Sequence, residues 1–301
     1  VSYFATPAGA QPPFRADATG FDPDNAWWLA KCSQLAYESK PRVAYELEAA
    51  GFTQVTFVDF SGSQGFLAVH PATAEAPSGY AVLSFRGTEN DWNDILTDIA
   101  FVKTKLPDED YRAHAGFVYA LKDVWGTSVG ALRSAAIKVD WYGMRGVSDA
   151  LDALVNVPVF FTGHSLGAAL ATLAAHYWPP RALYSFGSPR AASSGLAAAY
   201  RQRRLPNYRV VNSTDIVARV PPALWQFRHV GELIYLTGSG AMLRGGRAAL
   251  RFWLASAQLW LLPLVAVTPY ALLAWARPGM FTNHRIGEYL RKLAPFVGSP
   301  R

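Results

Sequence analysis

A β-branched and aromatic run, Val157 to Thr162, leads through Gly163-His-Ser-Leu-Gly167 directly into an Ala-rich stretch reaching Trp178. Few folds accommodate that succession. The run has the composition of a buried strand and the stretch after it that of a helix, so the residues between must reverse the chain in one tight turn. Glycines two positions to either side of Ser165 remove the Cβ atoms that would clash when a strand and a helix pack this closely. The turn therefore lifts Ser165 above the sheet edge, beside the first amide N–H groups of the helix and the positive end of its dipole.

The rest of the chain supplies the sheet that such a turn needs. Strands are predicted over Phe52 to Phe60, Gly65 to His70, Tyr80 to Phe85, Leu183 to Phe186, Tyr208 to Asn212 and Val230 to Tyr235. Helices are predicted over Asn25 to Tyr37, His114 to about Lys138, Ser165 to Trp178, Ala191 to Arg203 and Ile286 to Leu293. Strands separated by helices imply crossovers, hence an α/β fold with a mostly parallel sheet covered on both faces. A chain of 301 residues can bury one sizeable core. One domain is expected over residues 25–298, with an apolar insertion at 241–280, behind an extended segment 1–24. The prolines of that segment, Pro7, Pro12, Pro13 and Pro23, suggest that it lies loosely on the surface. The lone Cys32 excludes an intrachain disulfide and reads as a small buried hydrophobe.

Gly-x-Ser-x-Gly occurs twice, at Gly126 to Gly130 and at Gly163 to Gly167. Ser128 follows a helical stretch with no strand before it and reads as a helix-surface residue. Ser165 has the full setting and is the expected nucleophile. A serine hydroxyl attacks a carbonyl only when a histidine takes its proton and a carboxylate fixes that histidine's tautomer. On strand-turn-helix scaffolds the chain order is serine, acid, histidine. Beyond Ser165 the acids are Asp215, Glu232 and Glu288, and the histidines His176, His229 and His284. Asp215 follows a strand at the expected edge, whereas Glu232 lies within a strand and Glu288 on the exposed side of a helix. His176 precedes the acid and sits behind the nucleophile. His229 opens a strand, while His284 lies in a loop before the last helix, where a base is better placed. The expected triad is Ser165, Asp215 and His284, with the N–H of Leu166 as an oxyanion donor. His70 and His114 are assigned no chemistry.

These segments resemble the class 3 lipase family of α/β-hydrolases. The likeness extends to Tyr80-Ala-Val-Leu-Ser-Phe-Arg-Gly-Thr88, His114-Ala-Gly-Phe117, Phe186-Gly-Ser-Pro-Arg190, Asp215-Ile-Val with Pro221-Pro222, and His229-Val-Gly231. The resemblance implies a second oxyanion donor at Thr88, and a mobile lid after it. Trp92, Ile95, Leu96 and Ile99 recur at helical spacing there with Asp91, Asp94 and Asp98 on the other face, a pattern that suits a lid or a core-packing surface helix equally. No cofactor is implied. No metal is needed, and the sequence shows no ligand-like cluster of His or Cys.

The net charge of +6 is unevenly placed: residues 201–301 carry 14 basic and 3 acidic side chains. Arginines here flank an apolar run instead of alternating with exposed aromatics, which disfavours nucleic acid and fits a membrane surface. Phe252 to Ala276 has no formal charge, and Arg244, Arg247 and Arg251 precede it. A single crossing would part His284 from Ser165, and Pro263 and Pro269 interrupt a straight helix. The favoured reading is an in-plane or hairpin lipid contact through Trp253, Trp260 and Leu262, ahead of a buried cap, with a true span last. The sequence thus predicts a hydrolase of lipid carboxylic esters, a triacylglycerol lipase or carboxylesterase. A phospholipase A1 or other polar-lipid acyl hydrolase is the alternative, and a catalytically silent membrane-binding protein a further one. The expected partners are a lipid ester and a lipid interface, with no nucleic acid and no protein partner inferred. The opening residues show no signal peptide, and the compartment stays open between peripheral membrane association and a secreted or periplasmic setting.

Overall fold

The computed structural model describes residues 2–60, 63–74, 76–87, 102–106, 110–125, 147–152, 154, 156–256 and 278–298. Helices α1 (Pro23–Leu35) and α2 (Lys40–Ala49) precede strands β1 (Gln54–Phe60), β2 (Ser63–His70), β3 (Tyr80–Phe85), β4 (Lys103–Lys105) and β5 (Arg112–His114). Helices α3 (Ala115–Trp125) and α4 (Val147–Asp152) lead to β6 (Val159–His164), α5 (Leu166–Tyr177), β7 (Ala182–Phe186), β8 (Ala192–Ser193), α6 (Ser194–Arg203) and β9 (Asn207–Asn212). The remainder is β10 (Phe227–Arg228), β11 (Glu232–Leu236), β12 (Met242–Leu243), α7 (Gly245–Ser256), α8 (Pro278–Thr282) and α9 (Ile286–Leu293).

The main sheet runs β1-β2-β3-β6-β7-β9-β11-β12. Its five inner strands, from β3 to β11, pair in parallel, and the antiparallel pairings lie at its two edges. Successive residues on a strand face opposite sides, so one apolar strand feeds two cores. Phe160 and Tyr184 join the core that α1 and α9 cover with Trp27, Trp28, Leu29 and Tyr289. Phe161 and Leu183 join the opposite core, packed by Leu170 and Leu173 of α5 and by Phe117 and Leu121 of α3. A smaller four-stranded sheet, β10-β8-β5-β4, flanks the first.

Two expectations are corrected. The Pro-rich start is not loose. Phe4 stacks on Trp28 at 4.3 Å and Phe14 on Tyr80 at 4.1 Å, so burying these rings anchors the extended segment. His229 does not open a strand, because pairing with β9 starts only at Glu232. The predicted long helix is described as far as Trp125, and Ser128 lies outside the described residues.

Candidate active site

Strand β6 delivers Ser165 at the carboxyl edge of the sheet. The residue adopts φ 59° and ψ −127°, a region that non-glycine residues occupy at a cost of about 1–3 kcal/mol, sustained only by surrounding structure. The surroundings are visible. A Cβ on Gly163 would sit 2.3 Å from the carbonyl carbon of Gly167, and one on Gly167 would sit 2.2 Å from the Phe85 oxygen. Both contacts are with backbone, so neither can relax through a rotamer. The Ser165 N–H donates to the Phe186 carbonyl at 3.0 Å, tying the turn to β7.

Strand β9 ends at Asn212, and the loop after it carries Asp215, fully buried. Its carboxylate accepts from the Val217 N–H at 2.8 Å and faces His284 Nδ1 at 2.8 Å. It also accepts from the Tyr289 hydroxyl of α9. Burial by itself would raise this carboxyl, but attraction to His284 and the bonds from His284 and Tyr289 outweigh it, and the pKa lies below its ordinary value. The Tyr289 hydroxyl is pushed well above its usual range, first by burial and then by the Asp215 charge, so it remains a donor.

His284 reaches this carboxylate because α8 and the turn after it are fastened to the β9 loop. Asn212 Nδ2 donates to the Asn283 carbonyl at 2.9 Å, and Asn283 Nδ2 to Thr214 Oγ1 at 2.9 Å. Gly187, at φ +59°, lies beneath: a Cβ there would fall 2.8 Å from Asp215 Oδ2 and 2.9 Å from His284 Cε1. His164, the neighbour of Ser165, meets the His284 backbone carbonyl through Nε2 at 2.6 Å and the Tyr37 hydroxyl through Nδ1 at 3.0 Å. A carbonyl can only accept, so Nε2 carries the proton and Nδ1 accepts from Tyr37. Burial and the neighbouring His284 push the His164 pKa down to about 3, and it stays neutral.

The structure thus brings Asp215 and His284 into contact, and places Ser165 and the N-terminus of α5, where Leu166 sits, at the same sheet edge. His229 Nε2 instead donates to the Ala218 carbonyl at 2.9 Å, and burial with the charges of Arg209 and Arg190 holds it well below its usual pKa. His176 lies on α5, edge-on to Tyr111. Glu232 pairs with Arg244 at 2.8 Å and Glu288 with Arg291 at 2.8 Å. Tyr289 escaped the sequence reading, although it is the tyrosine on the buried face of the last helix. Thr88, the lid residues Trp92, Ile95, Leu96 and Ile99, and Trp260 and Leu262 lie outside the described residues. Trp253 is described, and it is half exposed on α7 with Leu250 and Leu254. Phe252, the first residue of the proposed lipid-contact run, turns inward over Arg209 and Arg219. Among the described residues no helix is long and apolar enough to cross a membrane, and no His, Cys, Asp and Glu cluster could hold a metal.

Residues 82–225 match the family model described as Lipase (class 3), a stretch that includes Ser165 and Asp215. That stretch, just under half of the chain, is similar to class 3 lipases. Secreted mono- and diacylglycerol lipase 1 of Fusarium solani is 35% identical over 161 residues, 52% of this chain and 44% of that protein. Phospholipase A(1) DAD1, chloroplastic, of Arabidopsis thaliana is 36% identical over 174 residues, 49% of this chain and 35% of that protein. The matched stretch is therefore less than half the length of either relative. Among solved structures, a triacylglycerol lipase whose catalytic centre is formed by a serine protease triad superposes with a TM-score of 0.55 at 21% identity, covering 75% of this chain and 84% of that one. That likeness is one of fold, an α/β-hydrolase with a mostly parallel sheet.

Proposed function

We propose that this protein hydrolyses carboxylic esters of lipids through Ser165, His284 and Asp215. The observation that carries the reading is the buried pairing of Asp215 with His284 Nδ1, at the edge where the strained turn presents Ser165. With Nδ1–H donating to the carboxylate, Nε2 is the basic nitrogen and takes the Ser165 proton as Oγ attacks the carbonyl carbon. The carbonyl π pair moves onto oxygen, and the start of α5, with the Leu166 N–H, stabilises that charge. Thr88 is the second donor proposed by family resemblance. Collapse breaks the acyl C–O bond, and His284 protonates the departing alkoxide. Water then repeats the sequence on the acyl-enzyme and frees the acid. Ser165 and His284 are both 0% exposed, so turnover includes a conformational step that admits the ester.

The substrate proposed is a lipid ester met at an interface. Helix α7 exposes Leu250, Trp253 and Leu254 alongside Arg247 and Arg251, a composition suited to an anionic lipid surface. Peripheral association with such a surface, in a secreted setting like that named for the Fusarium relative, follows from this reading. The similarity to phospholipase A(1) DAD1 favours a second reading, a polar-lipid acyl hydrolase. The test is ester hydrolysis across acyl lengths, triacylglycerol emulsions against phospholipid vesicles, with wild type and Ser165→Ala. Serine-dependent turnover supports the proposal, and the preferred lipid decides between its two forms. Activity retained without Ser165, or a folded wild type inert towards every ester, overturns it.

A further inference from the structure

Parallel strands covered on both faces are normally apolar throughout, yet β9 carries an arginine at its centre. Arg209 is 7% exposed, and neither its Nε nor its Nη1 finds a hydrogen-bond partner among the described residues. The face of its guanidinium lies 5.3 Å from the Phe252 ring centroid, which shields it and leaves the edges to be satisfied. Buried Arg219 lies against the same ring at 4.9 Å, and buried Arg190 donates to the Arg219 and Pro221 carbonyls. Three guanidinium groups thus gather beneath the sheet edge. The buried carboxylate near them, Asp215, is already engaged by His284 and Tyr289. Isolated buried charge is strongly destabilising, so the fold needs a counter-charge here.

A small cavity lies where that charge would go. Arg209 lines it with Thr172, Ser185, Ser188 and His229, with about 10 Å³ of room for a water-sized sphere. Ser185 and Arg209 are register partners on β7 and β9, so their side chains leave the same face of the sheet. Room on this scale admits a single water or a monatomic ion with slight adjustment, and excludes a tetrahedral oxyanion. Burial and Arg190 push the Arg209 pKa down to about 9, which keeps it cationic at neutral pH.

We propose that this cavity is a binding site for a small monovalent anion, chloride in physiological media, held by the Arg209 guanidinium and the Ser185 hydroxyl and neutralising the buried arginine cluster.

The test is halide dependence on the intact protein. Thermal midpoints are measured as sodium gluconate is exchanged for sodium chloride at fixed ionic strength, and crystals soaked in sodium bromide are examined for an anomalous peak beside Arg209. A saturable rise in midpoint with chloride, and a bromide peak within hydrogen-bonding range of the guanidinium, are expected. Arg209→Gln should weaken chloride binding by at least about tenfold, the equivalent of one charged hydrogen bond of about 1.5 kcal/mol. Should that variant fail to fold, the wild-type titration and the bromide map still decide. A midpoint indifferent to the anion, or a site filled by water alone at saturating bromide, overturns the proposal.

Discussion

Tyr289→Phe removes one oxygen from a fully buried ring, an oxygen that also meets the Asn212 backbone, and combined with a change at Asp215 it probes the environment of that carboxylate. The Tyr289 hydroxyl donates to Asp215 Oδ2, and the carboxylate keeps His284 Nδ1 and the Val217 N–H when that donor goes. A hydrogen bond to a charged group is worth about 1.5–3 kcal/mol, so a loss of about 2 kcal/mol is expected at pH 7. In a chain of this size that lowers the thermal midpoint by about 3 °C. The sign with pH follows from the lowered carboxyl. The stabilisation is complete above the ordinary carboxylate range and is lost as pH falls through the folded-state pKa, so the variant's deficit should shrink in acid. Urea denaturation of wild type, Tyr289→Phe, Asp215→Asn and the double variant gives the coupling directly. A neutral amide accepts a weaker bond than a carboxylate, so a coupling of about 1 kcal/mol is expected. Equal cost of Tyr289→Phe in both backgrounds would refute the idea that the hydroxyl serves the charge on Asp215.

Two further outcomes are expected. His284→Ala should lower kcat by about four orders of magnitude or more with the fold intact, whereas His229→Ala, losing its bond to the Ala218 carbonyl, should mainly lower stability; kinetics beside circular dichroism on both variants checks this. Acid should destabilise the protein from about pH 6.5 downward, because burial lowers the pKa of His114 to about 4, and burial with His284 lowers that of His164 to about 3. Both stay neutral in the fold but take up protons when unfolded, so urea titrations near pH 5 should show each contributing a loss of up to about 1.4 kcal/mol per pH unit.

How much of this was legible in the sequence depends on the range of the interaction involved. Tyr80 to Phe85 and Ile286 to Leu293 match the observed elements residue for residue, because each is a continuous local pattern with a clear boundary. The turn at Ser165 was legible for the same reason: its glycines, strand and helix are contiguous. The meeting of Asp215 and His284 could be reached by elimination, since few acids and histidines follow the serine. Helix α2 was missed, as its charged ten-residue stretch carries little apolar periodicity. Strands β8 and β10, two residues each, are too short to show a period of two. The bond from Tyr289 to Asp215 spans 74 positions, and the anchoring of Phe4 on Trp28 joins two segments that no local pattern connects. Such contacts are set by how the elements pack. Buried Arg209 left a trace in sequence, a charge within an apolar strand, but only packing reveals that its edges are unsatisfied.

Covalent labelling addresses the proposed role of Ser165 as the nucleophile. A fluorophosphonate reacts only with a serine whose proton a neighbouring base can take, and the adduct can be placed by peptide mass mapping. A single adduct is expected on the peptide containing Ser165, formed faster when lipid vesicles are present, and absent in Ser165→Ala and His284→Ala. A folded wild type that takes no label under either condition, or label carried by Ser128, would contradict it.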